Sequence, residues 1–334
     1  MDKDRIVSIL RGKKLIESAD PQFKPLTGGV SSDIYLLSDG GNRYVIKQAR
    51  ARLKVEDEWL ADVSRNESEQ DFILYVQGFL PQAVPNMVYR DPGQGFFVME
   101  YLGSSFDNWK DRLLRGLFEP EVTTKAAELM AAVHLRSAGR DEVRQTFDTT
   151  ANFKSLRIDP YLITTGDRHP GLRKQFYDEA ERLEQHREAL VHGDFSPKNM
   201  MVNGERLVLL DHEVAWYGDP AFDVAFLLNH LYLKMLLHKK RAARLPDLTR
   251  VFWDAYFGRM GDQKKKEMEQ RTGRLLIMLM LARVDGKSPA EYLGEAEKEF
   301  VRARAYELLS EKTFKQPDIN AHWKYKLTLL PLED

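Results

Sequence analysis

The segment His192-Gly193-Asp194-Phe195-Ser196-Pro197-Lys198-Asn199 is followed, ten residues later, by Leu209-Leu210-Asp211-His212-Glu213. Together they place carboxylates and an amide where phosphoryl chemistry needs them. Transfer of a phosphoryl group asks a protein mainly for positioning and for neutralisation of charge. It needs a carboxylate beside the attacking hydroxyl and oxygen ligands for a cation that bridges the phosphates. Asp194 is the candidate to orient and deprotonate an alcohol. Asn199, five residues on, is a candidate to return to the same site as a metal ligand. Asp211 ends the β-prone run LVLLD (207–211), and Glu213 follows two residues later. Hard oxygen donors of this kind suit Mg2+. The spacing from Asp194 to Asn199 equals that of the protein-kinase catalytic loop. A polar turn whose Asp and Asn only bond backbone groups accounts for either motif alone. Two motifs in this order, separated by a predicted hairpin, favour chemistry.

Bulk properties narrow the alternatives. A chain of 334 residues, 43% hydrophobic and 30% charged, is expected to be one large domain or two packed lobes. Lysine plus arginine (50) nearly balances aspartate plus glutamate (51), so no overall field draws nucleic acid or anionic lipid. With no cysteine, disulfides, thiolate catalysis and cysteine-ligated metals are excluded. The start, MDKDRIVSILRGKK, shows no signal-peptide core. The most apolar stretch, residues 222–237, is too short for a span and carries Asp223, His230 and Lys234. A cytoplasmic protein with no membrane and no nucleic-acid partner is the expectation; a homodimer is allowed but not required.

The elements that must hold these motifs fall into two groups. Two β runs, around 33–37 and 43–48, flank Asp39-Gly40-Gly41-Asn42, a hairpin signal. A helix is expected within 55–80, ended by Pro81 and Pro85, and two short β runs follow near 86–90 and 95–101. After Tyr101 the pattern turns helical, with helices near 120–138 and 171–188 and a long helical region after residue 211. This divides the chain into a mostly β lobe, 1–101, and a mostly helical lobe, 102–334.

HGDFSPKN and LLDHE resemble the signatures of the aminoglycoside phosphotransferase and choline kinase superfamily, relatives of the protein kinases. Within it, residues 84–91, 99–116 and 209–225 look most like methylthioribose kinases and their bacterial neighbours. HGDFSPKN is closer to the aminoglycoside kinase loop, with Asn199 where methylthioribose kinases differ. The resemblance implies an α+β, protein-kinase-like two-lobe fold, with a small antiparallel-sheet N-lobe, a larger helical C-lobe and a nucleotide bound between them. It implies ATP and Mg2+ as cofactors and a small-molecule hydroxyl acceptor as partner. Missing D-F-G and A-P-E segments argue against a protein acceptor.

The resemblance also implies roles for further residues. Lys47 matches the strand lysine that holds the α and β phosphates. Its partner is expected to be Glu69 rather than Glu67, because Ile73 and Val76 then share its buried side. Gly28, Gly29, Ser31 and Ser32 match the loop that covers the phosphates, although the full G-x-G-x-x-G is lacking. Glu100 and Leu102 stand where backbone groups hold adenine. Trp216 and Tyr217 are candidates to line the acceptor pocket, since rings stack on sugars, with a core role equally open to each. Asp223 is expected to bond the catalytic-loop backbone. Arg283, with Asp285 and Lys287, is a candidate to reach the acceptor, against the alternative of a helix end at Gly286. Methylthioribose or a related pentose leads the acceptors, followed by an aminoglycoside, choline or homoserine.

Overall fold

A computed structural model describes residues 2–18, 20–26, 32–49, 65–204, 206–312 and 314–330. Gly28, Gly29 and Ser31 lie outside the described residues, as does the first part of the helix expected from residue 55. The chain separates into two compact units. One comprises Met1–Phe106 with Val208–Glu213; the other comprises Asp107–Leu207 with Val214–Asp334.

The first unit is built on a five-stranded antiparallel sheet in the order β1-β2-β3-β5-β4. Its strands are β1 (Gln22–Pro25), β2 (Ser32–Asp39), β3 (Asn42–Ala49), β4 (Met87–Asp91) and β5 (Phe96–Glu100). The hairpin signal is realised with Asp39 opposite Asn42. Gly40 occupies the left-handed region at φ +58°, where a side chain is penalised. Between β3 and β4 the chain forms the helix Arg65–Gln77, whose Phe72, Ile73 and Val76 are fully buried. The amino-terminal helix Lys3–Gly12 is capped by Asp2, which accepts from the Arg5 amide at 3.1 Å. It buries Ile6 and Leu10 against Leu37, Ile46, Phe96 and Val98.

The second unit is mostly helical. Its central helix, Ala221–Leu237, is buried along nearly its whole length, which explains why its sequence is mostly apolar, with Asp223, Asn229, His230 and Lys234 the exceptions. It packs against the helix Asp262–Asp285, while Pro120–Ser137 packs against Leu248–Met260. Pro120 begins its helix at a position that needs no amide donor. Short strands carry the loop of interest: Ala189–Val191 pairs with Trp216–Gly218, and Met200–Asn203 pairs with Asp107–Asn108. Lys154–Ile163 is wound more widely than an α-helix and contains Pro160. Among the described residues no helix is long and apolar enough to cross a membrane.

Candidate active site

In the first unit the chemistry gathers around Lys47. It sits on β3, flanked in register by Ile34 of β2 and Phe97 of β5, and is 3% exposed. Its ammonium lies 2.7 Å from Glu69 and 3.0 Å from Asp211. Glu69 is buried on Arg65–Gln77, with Ile73 and Val76 buried beside it, whereas Glu67 is exposed. Burial works against the Lys47 charge, but Asp211, Glu69 and Glu213 outweigh it and hold the ammonium protonated far above the usual lysine range. Burial, offset by Lys47 and reinforced by Asp211 and Glu213, lifts Glu69 to about 7.

One ammonium thus faces three carboxylates, a surplus of negative charge that fits a divalent cation. Asp211 is open to solvent, with its side chain 31% exposed, and Glu213 is half-buried, while Lys47 and Glu69 are enclosed. It also adopts φ +65°, a left-handed conformation rare outside glycine. Such strain persists where surrounding structure fixes it and concentrates at functional positions. The segment is anchored locally by His212, whose ring stacks on Phe72 at 4.5 Å.

In the second unit the loop after strand Ala189–Val191 is shaped from beneath. Asp223, at the start of the central helix, accepts from the amides of His192 at 2.7 Å and Gly193 at 2.9 Å. This is the backbone-holding role expected of it. The His192 ring accepts from the Asp194 amide at 3.0 Å, so its part is to shape the turn. Gly193 is required twice over: its φ is +77°, and a Cβ there would stand 2.5 Å from the Val214 carbonyl oxygen. Asn199 donates its amide to the Asp194 carbonyl at 3.0 Å, which ties the ends of the loop together.

Asp194 is 4% exposed and paired on one carboxylate oxygen with Arg157 and Lys198, each at 3.0 Å. Burial alone would raise its pKa. Lys198 and Arg157 overturn that and hold the carboxyl well below the ordinary range, ionised and fixed in place. Arg157 also donates to the carbonyls of Gly193 and Leu156, so one guanidinium fixes both the loop backbone and the carboxylate.

The remaining candidates are placed as follows. Ser32 opens β2 opposite Ala49 and is buried, its hydroxyl without a hydrogen-bond partner. Glu100 ends β5, and its amide donates to the Asn86 carbonyl at 2.9 Å. Leu102 follows in irregular, half-buried chain. Trp216 is fully buried, stacked on Phe153 at 4.1 Å, and donates to Thr150 at 3.2 Å. The Tyr217 hydroxyl donates to the Glu188 carbonyl and accepts from the Gly139 amide, both at 2.9 Å. Both rings thus belong to the core around strand Trp216–Gly218. Arg283 donates to the hydroxyl of Ser288 at 2.8 Å, across the helix end at Gly286. Asp285 is engaged by Arg302 at 2.8 Å and His169 at 3.0 Å.

Two site features were missed from the sequence. Arg157 belongs to no motif and reaches Asp194 only through the winding of Lys154–Ile163. Lys198 stands inside HGDFSPKN, where an i,i+4 relation to Asp194 was available as a signal. Among the described residues, His186, Glu188 and Asp219 form a cluster of metal-ligand types. Lys264, Arg271 and Arg182 already neutralise it at 2.7–3.0 Å.

Residues 22–251 match the model of the phosphotransferase enzyme family. The chain belongs to that family. The resemblance drawn from the two motifs is thereby borne out at the family level. Among curated relatives of this phosphotransferase, methylthioribose kinase of Pectobacterium atrosepticum is 27% identical, covering 66% of this chain and 64% of that one. The chain therefore spans less than two thirds of that relative's length. Among solved structures, choline kinase from Cryptosporidium parvum Iowa II has a TM-score of 0.58 at 14% identity, covering 93% of this chain and 97% of the other. Amicoumacin kinase, solved in complex with AMP-PNP and Ca2+, gives 0.54 at 15% identity, covering 94% and 97%. At such identities the likeness is one of fold, and the protein-kinase-like α+β fold expected from the sequence is the one observed.

Proposed function

We infer that this protein is an ATP- and Mg2+-dependent kinase that transfers the γ-phosphoryl group to a hydroxyl of a small molecule. The observation that carries this reading is Asp194, a buried carboxylate held ionised by two cations on a loop fixed by Asp223. In the reaction the acceptor oxygen forms a bond to Pγ as the bond from Pγ to the β-phosphate oxygen breaks, releasing ADP. The hydroxyl proton passes to the Asp194 carboxylate. A base with a depressed pKa works here mainly by aligning the hydroxyl and taking its proton late, as a loose phosphoryl-transfer transition state permits.

Lys47, fixed by Glu69, is assigned to the ATP phosphates. The residues that suit a metal are Asp211, strained and solvent-accessible within an acidic group, with Glu213 and Asn199 as further oxygen donors. Bound Mg2+ supplies neutralisation of phosphate charge. Glycines 28 and 29, Ser31 and Ser32 remain assigned to the phosphates, and Glu100 and Leu102 to adenine. The buried positions of Trp216 and Tyr217 favour packing over acceptor contact. Use of ATP fits a cytoplasmic location.

For the acceptor, the relatives named methylthioribose kinases make pentoses the first class to test. Aminoglycosides, choline and homoserine come next. The test is ADP release with Mg2+-ATP across such a panel, with Asp194→Asn as the blank. Acceptor-dependent release that vanishes in the blank is expected. ATP binding with silence across the panel would point instead to a non-catalytic nucleotide-binding module.

A further inference from the structure

Beyond the cations that hold Asp194, the second unit buries more positive charge than the loop needs. Lys234 lies on the central helix and is 1% exposed. Among the described residues its ammonium has no hydrogen-bond acceptor and no carboxylate at ion-pair distance. Its ammonium rests 3.5 Å from the centre of the Tyr292 ring. A cation–π contact offsets only part of the desolvation of an ammonium. Arg283, whose charge acts on Lys234, commits Nη1 to Ser288 while its Nε is buried without a partner. The Tyr292 hydroxyl is likewise buried and unpartnered. Burial, then the charges of Arg283 and Lys234, hold the imidazole of His230, one helical turn before Lys234, well below its usual range.

We propose that Lys234 and Arg283 receive an anionic group of the acceptor, so that the hydroxylated substrate carries a carboxylate or a phosphate. The proposal rests on the kinase reading. An oxyanion would satisfy the Arg283 and Tyr292 donors with charge-assisted hydrogen bonds and compensate an ammonium that otherwise has only a ring beside it. Burial, then the charges of Arg283 and Lys110, pull Lys234 down to about 7, and a bound anion would restore its proton. A polycationic aminoglycoside or choline meets like charge here. Neutral methylthioribose leaves both cations uncompensated. Within the pentose class the geometry therefore selects acidic members.

The experiment is steady-state kinetics with Mg2+-ATP and four probes: ribose, methylthioribose, ribonate and ribose 5-phosphate. Wild type is compared with Lys234→Met and Arg283→Gln, with retained folding checked by thermal melting. Expected is a kcat/KM for ribonate or ribose 5-phosphate at least about tenfold above the neutral sugars, the two anions separating carboxylate from phosphate. Both variants should raise that acceptor KM by about tenfold or more and leave the ATP KM in place. Preference for a neutral sugar, or a rise in ATP KM instead, overturns the proposal. If none of the four turns over, protection of wild type against thermal unfolding by ribonate or ribose 5-phosphate, lost in Lys234→Met, supports it. Equal or absent protection overturns it. Anion binding without ADP release removes the kinase reading alone, whereas ADP release with neutral acceptors alone removes only the anion site.

Discussion

In the first unit one ammonium, Lys47, is enclosed by the charges of Glu69, Asp211 and Glu213; in the second, one carboxylate, Asp194, is paired with Arg157 and Lys198, and the same unit holds a buried Lys234 and a half-buried Arg283. The two clusters are near mirror images in sign. A net acidic cluster suits a divalent cation and the lysine that accompanies it to phosphate. A net basic cluster keeps its single carboxylate ionised and favours anionic partners. Each keeps one charge of minority sign buried and fixed, and that charge, Lys47 or Asp194, is the one assigned to chemistry.

Breaking the minority charge of the basic cluster should have the largest effect. Asp194→Asn, which keeps the shape of the loop, is expected to lower kcat by about 10²–10⁴-fold while the melting temperature stays close to wild type. Asp194→Ala is a poorer probe because it strands Arg157, which is largely buried. The corresponding change in the acidic cluster, Lys47→Met, should cost about 3–5 kcal/mol of stability in denaturant unfolding, since it leaves Glu69 buried without its cation. Adding Glu69→Leu should return most of that loss, and no recovery would show that the pair is not the stabilising unit. Gly193→Ala tests the loop that carries the comparison. The Cβ placed against Val214 at φ +77° should cost about 1–3 kcal/mol and lower kcat with it.

The acid side of the pH profile sharpens the comparison further. The folded Asp194 pKa is depressed, so its contribution to stability is present above the unfolded value and is lost as pH falls through the folded one. Wild-type kcat should therefore show no loss from Asp194 on the mildly acidic side of neutrality. Lys198→Met, which removes an exposed cation, should move the acid limb upward; an unmoved limb would separate Lys198 from the base. The smallest expected effect is on stability in Lys234→Met. Removing a buried, uncompensated ammonium should raise the melting temperature by about 2–4 °C near neutral pH.

Much of the fold is local chemistry and so could be read from the chain. Gly40 and Gly41 dictate the β2–β3 hairpin, Pro81 and Pro85 bound the helix before β4, and Pro120 starts its helix. The candidate loop was legible for the same reason: Gly193, Asp194 and Asn199 act within eight residues, and their types and spacing are constrained by one another. What was not legible depends on distant partners. Arg157 lies 37 residues from Asp194 and reaches it through a widened helical segment that no periodicity announces. Lys234 read as a charge interrupting an apolar run, because burial against Tyr292 is a tertiary event. Trp216 and Tyr217 look the same in sequence whether they face a ligand or a core, and only their occupied polar atoms distinguish the two.

The most direct test of the account is the mass of the acceptor itself after incubation with Mg2+-ATP and either wild type or Asp194→Asn. The account predicts that a hydroxylated acid or sugar phosphate gains one phosphoryl group in the presence of wild type and none with the variant. Equal phosphorylation by both proteins would remove Asp194 as the base and contradict the reading of the second unit.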